Sequence, residues 1–297
     1  MTDPQFPEYN TCQVCPRDCG VNRYQTTGYC RSTSLLRMNI AQLHYGEEPP
    51  ISGTNGSGTI FFSNCNLRCV FCQNFEISDI GQGKDISLEE LIQSMLELQN
   101  KGAHNINFVT PTHFTPHLRQ AILEARKQGL TVPIVWNSNA YERVEVLRTL
   151  EGLVDIYLPD LKYASGLFAN KYSSAKDYPH AARAAILEMH RQVGMLQLAD
   201  NIAKKGIIIR LLVLPHRLAG IRESLYWIHE NLGADTYISL MGQYYPTHKA
   251  LEYPEINHGI SHDEYMEVAE LIDELGFTHG FIQDIGSTSD WTPKFRS

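Results

Sequence analysis

The chain has 297 residues, 43% of them hydrophobic and 20% charged, with a formal net charge of −8. That composition belongs to a folded globular chain long enough for one large domain with a small appendage. A negative balance without any lysine and arginine cluster argues against a nucleic-acid partner, and no run approaches the roughly 18 apolar residues of a membrane span. Residues 1–8 carry no basic region followed by an apolar core, so a cytoplasmic location is expected.

The first cysteines are Cys12, Cys15, Cys19 and Cys30, in the pattern C-x2-C-P-x2-C-x10-C. Four thiolates at this spacing suit tetrahedral zinc or an iron-sulfur cluster, and thiolates serve both metals equally well. Disulfides are the third reading, disfavoured in an intracellular chain. Residues 1–52 thus read as a cysteine-rich metal-binding module and a connecting arm rich in turns, and 53–297 as the main domain with a C-terminal extension. From residue 59 onward, short β-branched runs recur at 59–63, 105–109, 133–137, 156–160, 206–214 and 237–241. Each precedes a stretch of helical period, at 87–101, 116–128, 141–150, 179–203, 221–231 and 262–275. Ser87 and Glu90 form a capping box for the first of these helices, and Gly129 stops the second. Strands alternating with helices imply an α/β fold with a parallel sheet.

The remaining three of the seven cysteines, Cys65, Cys69 and Cys72, follow the first strand as C-x3-C-x2-C. Three thiolates are one too few to close a cubane 4Fe-4S cluster, so one iron would stay open to a small molecule. A zinc or disulfide knuckle is the bland alternative, although zinc sites usually pair two C-x2-C elements.

This triplet after a β-branched and aromatic strand resembles the radical S-adenosylmethionine (SAM) superfamily. The resemblance implies a partial (β/α)6 TIM-type barrel whose open iron binds SAM and cleaves it to methionine and a 5′-deoxyadenosyl radical. It further implies that Phe71, in the segment ending at Asn74, meets adenine. The family's Gly-Gly-Glu after the second strand is absent, and Thr110, Thr112 and His113 stand there instead. In the run Trp136-Asn-Ser-Asn-Ala140 the likeness narrows to activases of the pyruvate formate-lyase-activating type, with Asn137 at a position those enzymes fill with aspartate. Asp160 and Lys162 match their Asp-Leu-Lys strand end, both charges directed at the amino acid part of SAM. Arg210 matches their Ile-Arg strand, facing either SAM and substrate or a barrel carboxylate, while His216 replaces a usual glycine. Gln243 and Tyr244 are expected on the substrate side, with a packing role as the alternative for Tyr244. The N-terminal quartet, the Gly-Ser-Gly at 56–58 and the Thr-Pro-Thr-His loop resemble an activating-enzyme-like iron-sulfur subfamily.

The function expected is hydrogen abstraction from a protein or peptide, as a glycyl-radical activase or a residue-modifying enzyme, supplied with electrons by a flavodoxin or ferredoxin. Two other readings stay open: a small-molecule radical isomerase or lyase, and a non-catalytic iron-sulfur electron carrier. Against the carrier stand Asp160 and Lys162, since a carrier has no need of paired charges beside an open iron.

Overall fold

In the computed structural model, which describes residues 5–283, the six expected strands form the parallel core of one open ten-stranded sheet. They are β2 (Ser57–Phe62), β4 (Ile106–Val109), β5 (Ile134–Ser138), β6 (Ile156–Pro159), β8 (Ile202–Leu212) and β9 (Tyr237–Met241). Neighbours pair in parallel register, with Gly58 opposite Ile106, Ile106 opposite Ile134 and Ile208 opposite Tyr237. Helices α3 (Leu88–Asn100), α4 (Thr115–Lys127), α5 (Val144–Arg148), α7 (Tyr178–Val193), α8 (Ile221–Leu232) and α9 (His262–Glu274) connect the strands. The result is a partial (β/α)6 barrel. The capping box holds: Ser87 Oγ accepts from Glu90 N, and Glu90 Oε2 accepts from Ser87 N at 2.8 Å.

Four strands lie outside the sequence expectation. Residues 36–44, within the segment read as a connecting arm rich in turns, form β1 (Leu36–His44), which runs antiparallel to β2. A short β3 (Lys84–Ile86) pairs with β1, and β10 (Gly280–Ile282) adds a further parallel strand beyond β9. The fourth is β7 (Gln197–Ala199), and with it the helix expected over 179–203 is corrected. That helix stops at Val193, where Gly194 takes φ +70. The apolar rhythm continues past the stop, but Asp200 and Asn201 both adopt positive φ and fold β7 back on β8 as a tight hairpin. Similarly, the helix expected over 141–150 shrinks to α5, because Ala140 sits at φ +57 and Tyr141 is held by its hydroxyl to Asp177 Oδ1 at 2.6 Å. Between β6 and α7 lies α6 (Gly166–Ser173), which the sequence reading did not anticipate.

The barrel interior is layered. Because His44 pairs with Ser57 at the start of β2, the chain leaving β1 emerges at the N-terminal ends of the parallel strands. There α1 (Pro49–Ser52) closes the barrel, its Ile51 packed against Val135, Ile156, Leu158 and Ile208. Above this apolar layer lie polar and charged side chains, and above those the loop that follows β2, with α2 (Phe75–Ser78) behind it.

Candidate functional site

The C-terminal ends of the parallel strands surround one cleft, as in other barrels of this kind. Cys65, Cys69 and Cys72 line it from the loop after β2, together with Phe71 and Asn74. Thr110 follows β4 in a left-handed conformation at φ +59, Asn137 lies on β5, Asp160 and Lys162 follow β6, and Arg210 lies on β8. Ten of the sequence-selected residues thus meet around a single opening. His113 does not join them.

The cysteine loop is provisioned with donors. Leu67 N and Asn139 Nδ2 reach Cys65 Sγ at 3.3 and 3.4 Å, and Ser78 Oγ donates to Cys72 Sγ at 3.1 Å. Such donors favour sulfur in its charged form. Burial opposes it, pushing the Cys72 thiol up to about 12, so a metal that claims this sulfur must displace a proton. Among the described residues no three His, Cys, Asp or Glu side chains are gathered as the ligands of one ion would be. A cluster asks for less convergence, since each thiolate takes its own iron. Phe71 packs edge-on against Tyr163 and Tyr244, at ring distances of 6.2 and 5.9 Å, which fixes its position at the cleft wall.

Beside the thiols stands a charge network. Asp160 Oδ2 takes Lys162 Nζ at 2.7 Å, and its Oδ1 takes Arg210 Nε at 2.6 Å. Arg210 also donates to Asn137 Oδ1 at 2.6 Å. Burial would raise the Asp160 carboxyl, but Arg210 and Lys162 outweigh it and hold the group below the usual range. Both oxygens of Asp160 are occupied by cations, so its task in this geometry is to aim Lys162 and Arg210.

Sequence reasoning missed Glu47. It arrives from the chain after β1 and lines the same cleft, accepting from Asn107 Nδ2 at 3.0 Å and approaching Arg210 Nη1 at 3.4 Å. Burial raises its carboxyl against the pull of Arg210, and the same holds for its neighbour Glu48. A single glutamate in a turn-rich arm carries no local signal of this role. Asn139 donates from Nδ2 to Asn66 Oδ1 at 2.9 Å as well as to Cys65.

The N-terminal cysteines meet elsewhere. Cys12, Cys15, Cys19 and Cys30 line a second, small pocket shared with Arg23 and His113. All seven cysteines are unbridged, so the disulfide reading has no support. Burial pushes the Cys15 thiol up to about 12. His113 Nε2 donates to the carbonyl of Ser63 at 2.9 Å, at the head of the cysteine loop after β2, and burial lowers its pKa to about 3.

A family model described as the Radical SAM superfamily matches residues 59–215. The uncharacterized protein MJ0674 of Methanocaldococcus jannaschii is 32% identical over 273 residues, covering 90% of this chain and 75% of its own. A second protein of that organism, MJ0808, is 22% identical, covering 82% and 73%. Among solved structures, the hydrogenase maturase HydG superposes with a TM-score of 0.51 at 13% identity, over 73% of this chain and 48% of its own. At that identity the likeness speaks for the fold.

Proposed function

The chain belongs to the radical SAM superfamily, and from that premise we propose that it cleaves SAM at Cys65, Cys69 and Cys72 to abstract hydrogen from a protein or peptide. That it is an enzyme follows from the family. The thiols, their three donors and the open cleft fit a 4Fe-4S cluster, which when bound supplies the electron that splits SAM. The observation that carries the reading is the triad Asp160, Lys162 and Arg210 on the cleft wall. SAM presents a carboxylate and an ammonium in one small group, and two cations held by one buried aspartate give the carboxylate charge-assisted partners. Phe71 offers a flat wall for adenine, and Asn74 and Thr110 offer polar edges beside it.

A polypeptide substrate is supported by compactness: among the described residues the barrel carries no large substrate-binding insertion. One observation favours the second reading, a small-molecule isomerase or lyase: the barrel interior carries the polar set Glu47, Asn107 and Asn137 below the charge network, suited to a small polar substrate. A one-electron donor of flavodoxin or ferredoxin type would reduce the cluster. The N-terminal quartet is proposed to hold a second metal centre, iron-sulfur or zinc, on the strength of four cysteines sharing one pocket, whose thiols would have to draw together on binding, since they are not gathered as the ligands of one ion.

Anaerobically reconstituted protein, reduced with dithionite and given SAM, should release 5′-deoxyadenosine. Intact SAM after full cluster assembly would refute the central reading. Adding candidate peptides and following deuterium transfer into 5′-deoxyadenosine separates the two substrate classes.

A further inference from the structure

Arg23 is 1% exposed and yet makes no ion pair with a carboxylate among the described residues. Its Nε and Nη2 donate to the carbonyl of Thr33 at 3.0 and 2.5 Å, and its Nη1 to the carbonyl of His113 at 2.5 Å. The guanidinium lies 4.0 Å from the ring centre of Tyr9, whose hydroxyl is engaged with His117 Nδ1 at 2.8 Å. Every oxygen it meets is neutral. A buried cation without an anion is strongly destabilising, and in a chain of net charge −8 carboxylates are not scarce. The groups that do face Arg23 are the thiols of Cys12 and Cys30. As thiols they supply no charge, whereas as metal-bound thiolates they supply the missing anion.

The same module grips the loop that carries the other cysteines. Arg17, between Cys15 and Cys19, donates from Nε to the carbonyl of Asn66 at 2.8 Å and from Nη2 to those of Leu67 at 3.2 Å and Ser173 at 2.7 Å. Asn66 and Leu67 lie between Cys65 and Cys69. His113 makes a second bridge, since a carbonyl only accepts: its Nε2 carries the proton given to Ser63, and its Nδ1 is a bare lone pair, buried and without a hydrogen-bond partner, in the quartet's pocket. An imidazole that donates one N–H to a carbonyl while the other nitrogen stays bare has the arrangement of a metal ligand or of an acceptor beside one.

We propose that the N-terminal cysteines form an anionic metal centre whose counter-ion is Arg23, and that Arg17 and His113 couple this centre to the SAM-cluster loop, so that its occupancy tunes SAM binding and cleavage. This rests on the second metal centre proposed above, with Arg23 held in place by the charge of its thiolates and Arg17 carried by the backbone between two of its ligands. The metal orders the segment, and the segment orders the carbonyls next to Cys65.

The test uses the full chain in two backgrounds. In a Cys65→Ser, Cys69→Ser, Cys72→Ser chain, which leaves the quartet alone, zinc is titrated against a chromogenic chelator, and iron with sulfide is loaded in parallel. Failure to retain either metal in this background overturns the quartet centre itself. If metal is retained, adding Arg23→Met should weaken zinc binding about ten- to hundred-fold, while Arg23→Lys, which keeps the charge, should stay within about three-fold. Unchanged affinity in Arg23→Met, or equal losses in both folded variants, overturns the counter-ion assignment. In the otherwise native chain loaded at both sites, Arg17→Met should keep its metal content. It should nonetheless alter the electron paramagnetic resonance spectrum of the reduced SAM cluster and raise the SAM dissociation constant about ten-fold. An identical spectrum and affinity would show that the two centres are uncoupled.

Discussion

The two cysteine groups solve one electrostatic problem in opposite ways. Around the triplet, each cation has a carboxylate: Asp160 serves both Lys162 and Arg210, and Glu47 stands behind Arg210. Around the quartet, Arg23 meets neutral carbonyls, an aromatic ring and thiols. A cleft that must admit a small zwitterionic ligand needs its charges balanced and aimed before the ligand arrives. A closed pocket can take its balance from an occupant, which is the arrangement proposed above for the quartet.

The largest expected effect breaks the first half of that contrast. Replacing Cys65, Cys69 and Cys72 together by alanine should abolish reductive SAM cleavage, read as 5′-deoxyadenosine by chromatography, with little change in the melting temperature. A large loss of stability would mean that the triplet, too, serves the fold.

Next in size is the quartet. Cys12→Ala with Cys15→Ala should cost roughly 4 kcal/mol or more, since loss of a structural metal belongs among the large mutational effects. Chemical denaturation of the reconstituted protein checks it, and wild-type stability would count against a metal there.

The charge network sharpens the comparison. Lys162→Met should raise the SAM dissociation constant about ten- to hundred-fold, from the loss of one charge-assisted hydrogen bond worth on the order of 1.5–3 kcal/mol, and Asp160→Asn should raise it by a similar factor because it releases the two cations, Lys162 and Arg210, that Asp160 aims. The cluster's absorption should survive in both. If affinity is unchanged, the pair is a salt bridge within the barrel and nothing more.

A smaller effect concerns Glu142, buried behind the cysteine loop, where its Oε1 accepts from Trp136 Nε1 at 2.9 Å. Burial raises its carboxyl to about 7, from the 4.5 of an ordinary glutamate. The folded chain therefore binds a proton that the unfolded chain has released between those values, so the stabilisation is full below about pH 4.5 and is lost as pH rises through 7. Glu142→Gln should flatten this slope, gaining on the order of 2 kcal/mol at pH 8 relative to wild type. Parallel pH profiles for the two proteins would refute the assignment.

The parallel strands, the capping box at Ser87 and the cluster triplet were legible in the sequence because each is a local pattern, complete within a short window. The helix expected to run to residue 203 failed for the converse reason: its apolar rhythm persisted while two residues of positive φ, Asp200 and Asn201, turned the chain back on itself. Asp160 and Lys162 could be selected as a pair two residues apart, but their partner Arg210 could be given only a choice between ligand and carboxylate. In the structure Arg210 meets the carboxylate of Asp160 at 2.6 Å and lines the cleft as well, so it serves the carboxylate without leaving the ligand's side. Glu47 reaches Arg210 across 163 positions of sequence, and does so because β1 adds antiparallel to β2 and delivers the following residues into the barrel from below. His113 likewise stood in a loop that the strand count assigned to the cleft, and packing turned it toward the N-terminal cysteines. The sequence by itself determined which residues could hold metal and which segments would be strands, since thiolate spacing and side-chain period are properties of neighbours. Which charge would neutralise which, and which imidazole would face which group of cysteines, was decided by tertiary structure alone, because burial strengthens those interactions and burial is a property of the whole fold.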